Sequence, residues 1–139
     1  MMRKLDERGM AALEFCMVVV PLFVLMFAIF DLGRYAITRQ SLNTLANTGA
    51  RKLMIACYTP AVTANSSPSG CTDIDSYFSS TDRSNAAPYL YGTGSPTVTL
   101  TATSASSALT VTASVSFSAM VPIWGSALDA PSASTAIPF

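Results

Sequence analysis

The sequence predicts an α+β fold in which one long N-terminal helix packs on a small antiparallel β-sheet. Residues 10–57 combine an apolar run with a later helical repeat of apolar positions. After residue 96 the apolar positions instead recur at every second residue, which is typical of strands with one buried face. The apolar stripe of the helix and the apolar face of the sheet must each be buried, so we expect them to pack against each other.

The first half of the predicted helix has the length of a membrane span. Residues 10–30 form a run of 21 residues with a single charge, and as a helix they would extend about 30 Å, the thickness of the hydrocarbon layer. The second half must stand in water. It carries an apolar stripe that consists of Leu42, Leu45, Ala46, Gly49 and Leu53. We therefore expect a transmembrane segment at about 10–30 and a water-exposed half that presents the stripe.

The remainder of the chain, residues 58–139, is predicted to be an exported loop and sheet domain. Residues 58–96 are rich in Ser, Thr, Asn, Pro and Gly and are predicted to be loop. "TVTLTATS" predicts a first strand, and a hairpin turn near Ser104–Ser107 leads to a second. The apolar face of the second strand comprises Leu109, Val111, Ala113, Val115, Phe117, Ala119 and Val121. The closing "APSASTAIPF" can add a third strand.

Composition argues against catalysis and against nucleic-acid binding. The formal net charge is zero, so the chain has no basic excess to neutralise phosphates. It contains no histidine, which removes the commonest general base and the commonest metal ligand. We expect no enzymatic activity, no cofactor and no metal site.

The apolar run can be interpreted in three ways. A cleaved secretory signal would have a shorter apolar core followed by a small-x-small cleavage site, whereas this run continues into "DLGRY". A plain signal anchor explains the length of the run but leaves Glu14 unexplained. A carboxylate within such a segment costs several kcal/mol and is rarely present without a function. The third interpretation accounts for Glu14.

Gly9 ends the charged leader, and four residues separate it from Glu14, which is followed by the aromatic Phe15. This arrangement resembles the processing site of type IV prepilins. The resemblance implies that a prepilin peptidase cuts between Gly9 and Met10 on the cytoplasmic side, and that residues 1–9 are a cleaved leader.

The resemblance becomes more specific when more of the N-terminal region is compared. The first 55 residues are similar to TadE-like proteins, the minor pilins or pseudopilins of tight-adherence (Tad) pilus systems. The matching features are Ala12 to Phe15, Pro21, "DLGR" at 31–34, Gln40 to Leu42 and "GAR" at 49–51. A TadF-like protein shares the same start and stays an alternative. The resemblance implies a pilin-like fold, and as partners the prepilin peptidase, other pilin subunits, the Tad assembly machinery and the inner membrane.

Glu14 has two interpretations. Cleavage after Gly9 would create a positive α-amine on Met10, and Glu14 lies one helical turn deeper, where it can pair with that amine in its own or a neighbouring subunit. Pairing between subunits would favour assembly and fix the helix register. Alternatively, Glu14 extends to the membrane surface, because it lies only five residues into the run.

Two further pairs are candidates for specific contacts. Cys57 and Cys71 are predicted to form a disulfide outside the cytoplasm, closing a loop of about 15 residues and contributing roughly 3 kcal/mol. Two free thiols are the alternative. Asp31 and Arg34 are one helical turn apart at the end of the run, and we expect them to pair at the level of the lipid headgroups.

The sequence thus predicts a minor pilin or pseudopilin in the bacterial inner membrane, with its C-terminal domain in the periplasm and with a pilus or cell-surface position also open. The alternative is a single-pass membrane protein whose exported sheet domain binds a partner. Incorporation in the pilus, a place at its tip and a role as a membrane platform are all compatible with the sequence.

Overall fold

The structure is a computed structural model that describes the backbone of residues 3–92, 97–104 and 108–138, and the side chains of these residues from Gly9 onward. The predicted hairpin turn near Ser104–Ser107 falls mainly on residues 105–107, outside the described residues.

The chain begins with a single long helix, α1, at Arg3–Leu53. It continues as a π-helical turn at Met54–Tyr58 and a short helix, α2, at Thr59–Thr63. A 3₁₀ turn at Pro68–Gly70 and two short helices, α3 at Ile74–Tyr77 and α4 at Ser80–Ala86, lead towards the sheet.

Three strands form an antiparallel meander in the order β1-β2-β3. They are β1 at Val98–Ser104, β2 at Ala108–Val115 and β3 at Ser132–Pro138, and a 3₁₀ turn at Pro122–Trp124 lies between the last two. The suggested third strand is therefore present. The sheet packs against the second half of α1, which confirms the predicted α+β arrangement.

The core lies between the stripe of α1 and the inner face of β2. The buried helix residues include Leu42, Leu45, Ala46 and Leu53, and the buried strand residues include Leu109, Val111, Ala113 and Val115. Phe78 and Ile74 close one side of this core. The predicted contact between the helix stripe and the β2 face is confirmed.

At Gly49, α1 closely approaches the side chains of α3 and β2. A Cβ atom there would lie 3.3 Å from Cδ1 of Ile74 and 3.5 Å from Cγ1 of Val111. An added Cβ would require a small shift of Ile74 and would make an ordinary contact with Val111, so the glycine lets α1 pack closely on this side of the core. Gly33, by contrast, has no atom within 4 Å of its Cβ position.

The structure differs from the sequence prediction between residues 58 and 96. Helical backbone continues beyond the predicted end at residue 57, because α2 follows directly. Pro60 does not prevent this, since proline is tolerated in the first turn of a helix. The predicted loop contains α3 and α4, and a polar residue of this segment caps the start of α4. This residue, Ser79, accepts a hydrogen bond from the Asp82 N–H.

The second strand is also shorter than its alternating pattern indicates. The pattern continues to Val121, whereas β2 ends at Val115. Beyond this point the Met120 and Val121 N–H groups bond to the Asp31 side chain instead of to a neighbouring strand. Pro122 has no N–H to offer a strand partner.

Candidate functional site

Most of the predicted membrane-spanning segment has no cover from the rest of the chain. Across residues 10–30 nearly all apolar side chains are exposed, with Met10 at 64% and Phe15 at 66%; Val19 is half-buried, and Ala28 is the one buried residue in that range. The described residues include one helix, Gly9–Thr63, that contains a stretch long and apolar enough to cross a membrane. Apolar surface of this extent is stable against lipid or against other apolar helices.

The predicted cleavage and assembly residues lie at the start of this segment. Gly9 and Met10 are both within α1, and no atom lies within 4 Å of the Cβ position of Gly9. Glu14 and Phe15 are exposed, and the ion pairs among the described residues do not include Glu14. Both roles remain predictions.

The described structure builds a polar site around Asp31, the first residue after the apolar run. Asp31 is fully buried, and its two carboxylate oxygens accept hydrogen bonds from the backbone N–H groups of Met120 at 3.0 Å and Val121 at 2.9 Å. One side chain thereby holds a loop that is 90 residues away in the sequence, next to the end of the apolar run. We call Met120–Trp124 the boundary loop.

Arg34 and two aromatic rings complete the Asp31 site. The Arg34 guanidinium lies 3.7 Å from the Asp31 carboxylate and 5.3 Å from the centre of the Phe117 ring. Tyr35 meets the same ring edge-on, with the ring centres 5.8 Å apart. The predicted Asp31–Arg34 pair is therefore present, and both Arg34 and Tyr35 contact the Phe117 ring.

The hydrogen bonds at this site favour the ionised form of Asp31. The Met120 N–H is the main cause that holds the pKa of the Asp31 carboxyl below its usual value, while burial acts in the opposite direction. The Val121 N–H and the Arg34 charge lower the pKa further. A charged acceptor forms stronger hydrogen bonds than a neutral one, so the boundary loop is firmly attached.

Sequence reasoning located Asp31 and Arg34 but missed their link to Met120 and Val121. Two sequence features pointed to this site. One is an acid directly after the apolar run, and the other is a proline that interrupts the alternating strand pattern near the C-terminus. Neither feature specifies which backbone groups the acid accepts from. That choice depends on the tertiary fold.

Cys57 and Cys71 lie in disulfide geometry, with their Cα atoms 5.8 Å apart. Cys71 is buried in the core and Cys57 is half-buried at its edge, so the bond ties the end of the long helix to the segment that precedes α3. Among the residues that the structure describes, no three His, Cys, Asp or Glu side chains lie close enough together to hold a metal ion.

We expect the Cys57–Cys71 bond to be formed in the exported protein. Cleavage after Lys52 and Arg83 would release residues 53–83, which hold these two cysteines alone. Under non-reducing conditions this peptide should lack two hydrogen atoms and resist alkylation, whereas the exposed Cys16 of the same chain should be alkylated in detergent. Recovery of both Cys57 and Cys71 as alkylated thiols would contradict the pairing.

A long helix that is bare over its first part and carries a sheet on its second part is the architecture of a membrane-anchored, pilin-like protein. The family model described as "TadE-like protein" matches residues 9–51, which cover the bare segment, Asp31, Arg34 and most of the packing stripe. This match confirms the resemblance over the N-terminal helix and associates the chain with Tad pilus systems. Neither curated proteins nor solved structures give a match.

Proposed function

We propose that this protein is a minor pilin or pseudopilin that takes part in the assembly of a Tad-type adhesive pilus after a prepilin peptidase removes residues 1–9. The observation that carries the proposal is the bare apolar segment of α1 at residues 10–30, which lies within the family match at residues 9–51. The sheet domain would then lie in the periplasm, and the other pilin subunits and the assembly machinery would be its partners.

The geometry at the proposed cleavage point supports peptidase access. Gly9 has no neighbouring atoms around its Cβ position, so no part of the described chain shields it. Glycine within a helix is about 1 kcal/mol less favourable than alanine, so the helix opens more easily here than at the flanking residues. A peptide bond must leave the helix to enter a protease site, and Gly9 lowers the cost of that step.

The proposed assembly role follows from the exposure of the apolar segment. While the protein is in the inner membrane, lipid surrounds such a helix. In a filament, the helices of other subunits surround it. The same exposed surface is compatible with both environments, so the helix can transfer from one to the other without refolding the sheet domain.

The test is the N-terminus of the mature chain. Intact mass and N-terminal sequencing from a host with an active prepilin peptidase should show a chain that begins at Met10, and a host without the peptidase should yield the full chain. Gly9→Leu should leave the leader attached.

Gly33→Leu is the matched control, because Gly33 is also within α1 and also has no atom near its Cβ position. This variant should be cut as efficiently as the wild type. An uncut wild-type chain in the peptidase-positive host would instead favour the alternative, a single-pass protein whose exported sheet domain binds a partner.

A further inference from the structure

We propose that the boundary loop inserts its apolar side chains into the lipid surface from which the sheet domain projects. The chain would then contact the membrane twice, through the spanning helix and through this loop. The proposal rests on the membrane-anchored state of α1 and needs neither leader cleavage nor pilus assembly.

The first argument is the depth of the loop. The apolar run ends at Phe30, so Asp31 lies where a helix of this length leaves the hydrocarbon layer. Side chains of a helix lean towards its N-terminus, which for Asp31 is the membrane side. The Met120 and Val121 N–H groups bond to this carboxylate, and their backbone is therefore held at the membrane boundary.

The second argument is the burial of Ala28. Ala28 is 8% exposed, while its neighbours Phe27 and Ile29 are 40% and 70% exposed. Ala28 lies one turn deeper than Asp31 on the same face of the helix. The boundary loop is attached to this face, so we infer that it covers Ala28 and thus reaches below the level of Asp31.

The third argument is the chemistry of the exposed surface. Met120 is 65% exposed and Ile123 is 57% exposed, next to a half-buried Trp124. No charged residue occurs between Arg83 and Asp129. Exposed apolar side chains of this kind, together with tryptophan, are typical of the boundary between headgroups and acyl chains.

The fourth argument is the position of Arg34, which suits a contact with lipid headgroups. Its side chain is 47% exposed although it stacks on Phe117 and faces Asp31. Arg34 lies one turn, about 4.5 Å, further from the membrane than Asp31, at the height where lipid phosphates are found. Its exposed side can bind a phosphate while the loop lies among the acyl chains below it.

The chain carries its own probe, because Trp124 is its single tryptophan. The full-length protein would be reconstituted at about one chain per vesicle in phosphatidylcholine, and co-flotation would confirm insertion. Lipids brominated near the headgroup end of their acyl chains should quench most of the Trp124 emission. Lipids brominated near the chain terminus should quench it less, and aqueous iodide should quench it little.

The double variant Met120→Ser with Ile123→Ser should lose most of the quenching by brominated lipid and gain access to iodide. Both residues are exposed, so the fold should persist. The matched control is Met54→Ser with Ile55→Ser, which removes the same two residue types from exposed positions in the π-helical turn that follows α1. The control should behave like the wild type.

Three results would overturn the proposal. They are Trp124 emission that no brominated lipid quenches, a double variant that is quenched like the wild type, and a chain that does not float with vesicles. Shielding from iodide that arises only at high protein density, without quenching by lipid, would assign the loop to a contact between subunits instead. A chain that keeps its leader in cells yet shows lipid quenching would remove the proposed pilin function and leave this inference intact.

Discussion

Val115→Asp is expected to unfold the sheet domain while the chain stays in the membrane. Val115 is 4% exposed at the end of β2, where it pairs with Val98 of β1 and belongs to the core under α1. None of the charged side chains with described ion pairs lies in this cluster, so the new carboxylate would be buried without a partner. Such a charge costs about 3–5 kcal/mol, a large fraction of the 5–15 kcal/mol that stabilises a typical domain.

The measurement is limited proteolysis of the full chain in membranes, with and without reductant. The variant should be cut rapidly throughout residues 58–139, while the segment 10–30 stays protected by lipid. Thr99→Asp is the matched control, because Thr99 is exposed in the same sheet, next to Val98, and its side chain points away from the core. A Val115→Asp protein that resists proteolysis as well as Thr99→Asp does would show that this face of the sheet is not packed against the helix.

The spacing of apolar residues correctly predicted those elements that bury one face and expose the other. The stripe from Leu42 to Leu53 and the alternation from Leu109 to Val115 are each produced by burial on one side, so spacing alone identified their faces. The contact between them followed because each surface needed a cover. Gly49 is explained only by the structure, since its role depends on the distance to Val111 and Ile74.

Sequence reasoning failed where a residue type serves two kinds of local structure. Ser79 and Pro60 are frequent in loops, yet here Ser79 caps α4 and Pro60 lies in the first turn of α2. The sequence did not show that the alternating pattern leaves the sheet before Val121, because the N–H groups of Met120 and Val121 bond to an acid on α1 and not to a strand. Tertiary contacts of this kind leave no periodic signal.

Glu14 differs from Asp31 in the way its charge is compensated. Asp31 is buried and receives two backbone hydrogen bonds within its own chain. Glu14 is exposed on a bare helix and has no ion pair with another described residue. In lipid an uncompensated carboxylate is costly, so a partner from outside the chain, or access to the membrane surface, is required.

Replacing Glu14 with Leu is expected to block assembly without blocking insertion or cleavage. The run becomes more apolar, so insertion should be at least as good, and Glu14 lies beyond the bond after Gly9, so the leader should still be removed. The change removes the acceptor for a Met10 amine of a neighbouring subunit. A hydrogen bond to a charged group contributes about 1.5–3 kcal/mol, so each contact should weaken by about tenfold or more.

Pili sheared from cells and co-purification with other pilins measure the effect, with the processed chain accumulating in the membrane fraction. Glu14→Gln keeps the shape and the hydrogen-bonding capacity while removing the charge, and it should fall between Glu14→Leu and the wild type. Met17→Leu, which changes an exposed apolar side chain one turn away, is the matched control and should assemble normally. If the Leu and Gln variants at position 14 both assemble like Met17→Leu, the carboxylate reaches the membrane surface and has no part in subunit contacts. The register of the helices in the filament would then depend on the apolar surface of residues 10–30 alone.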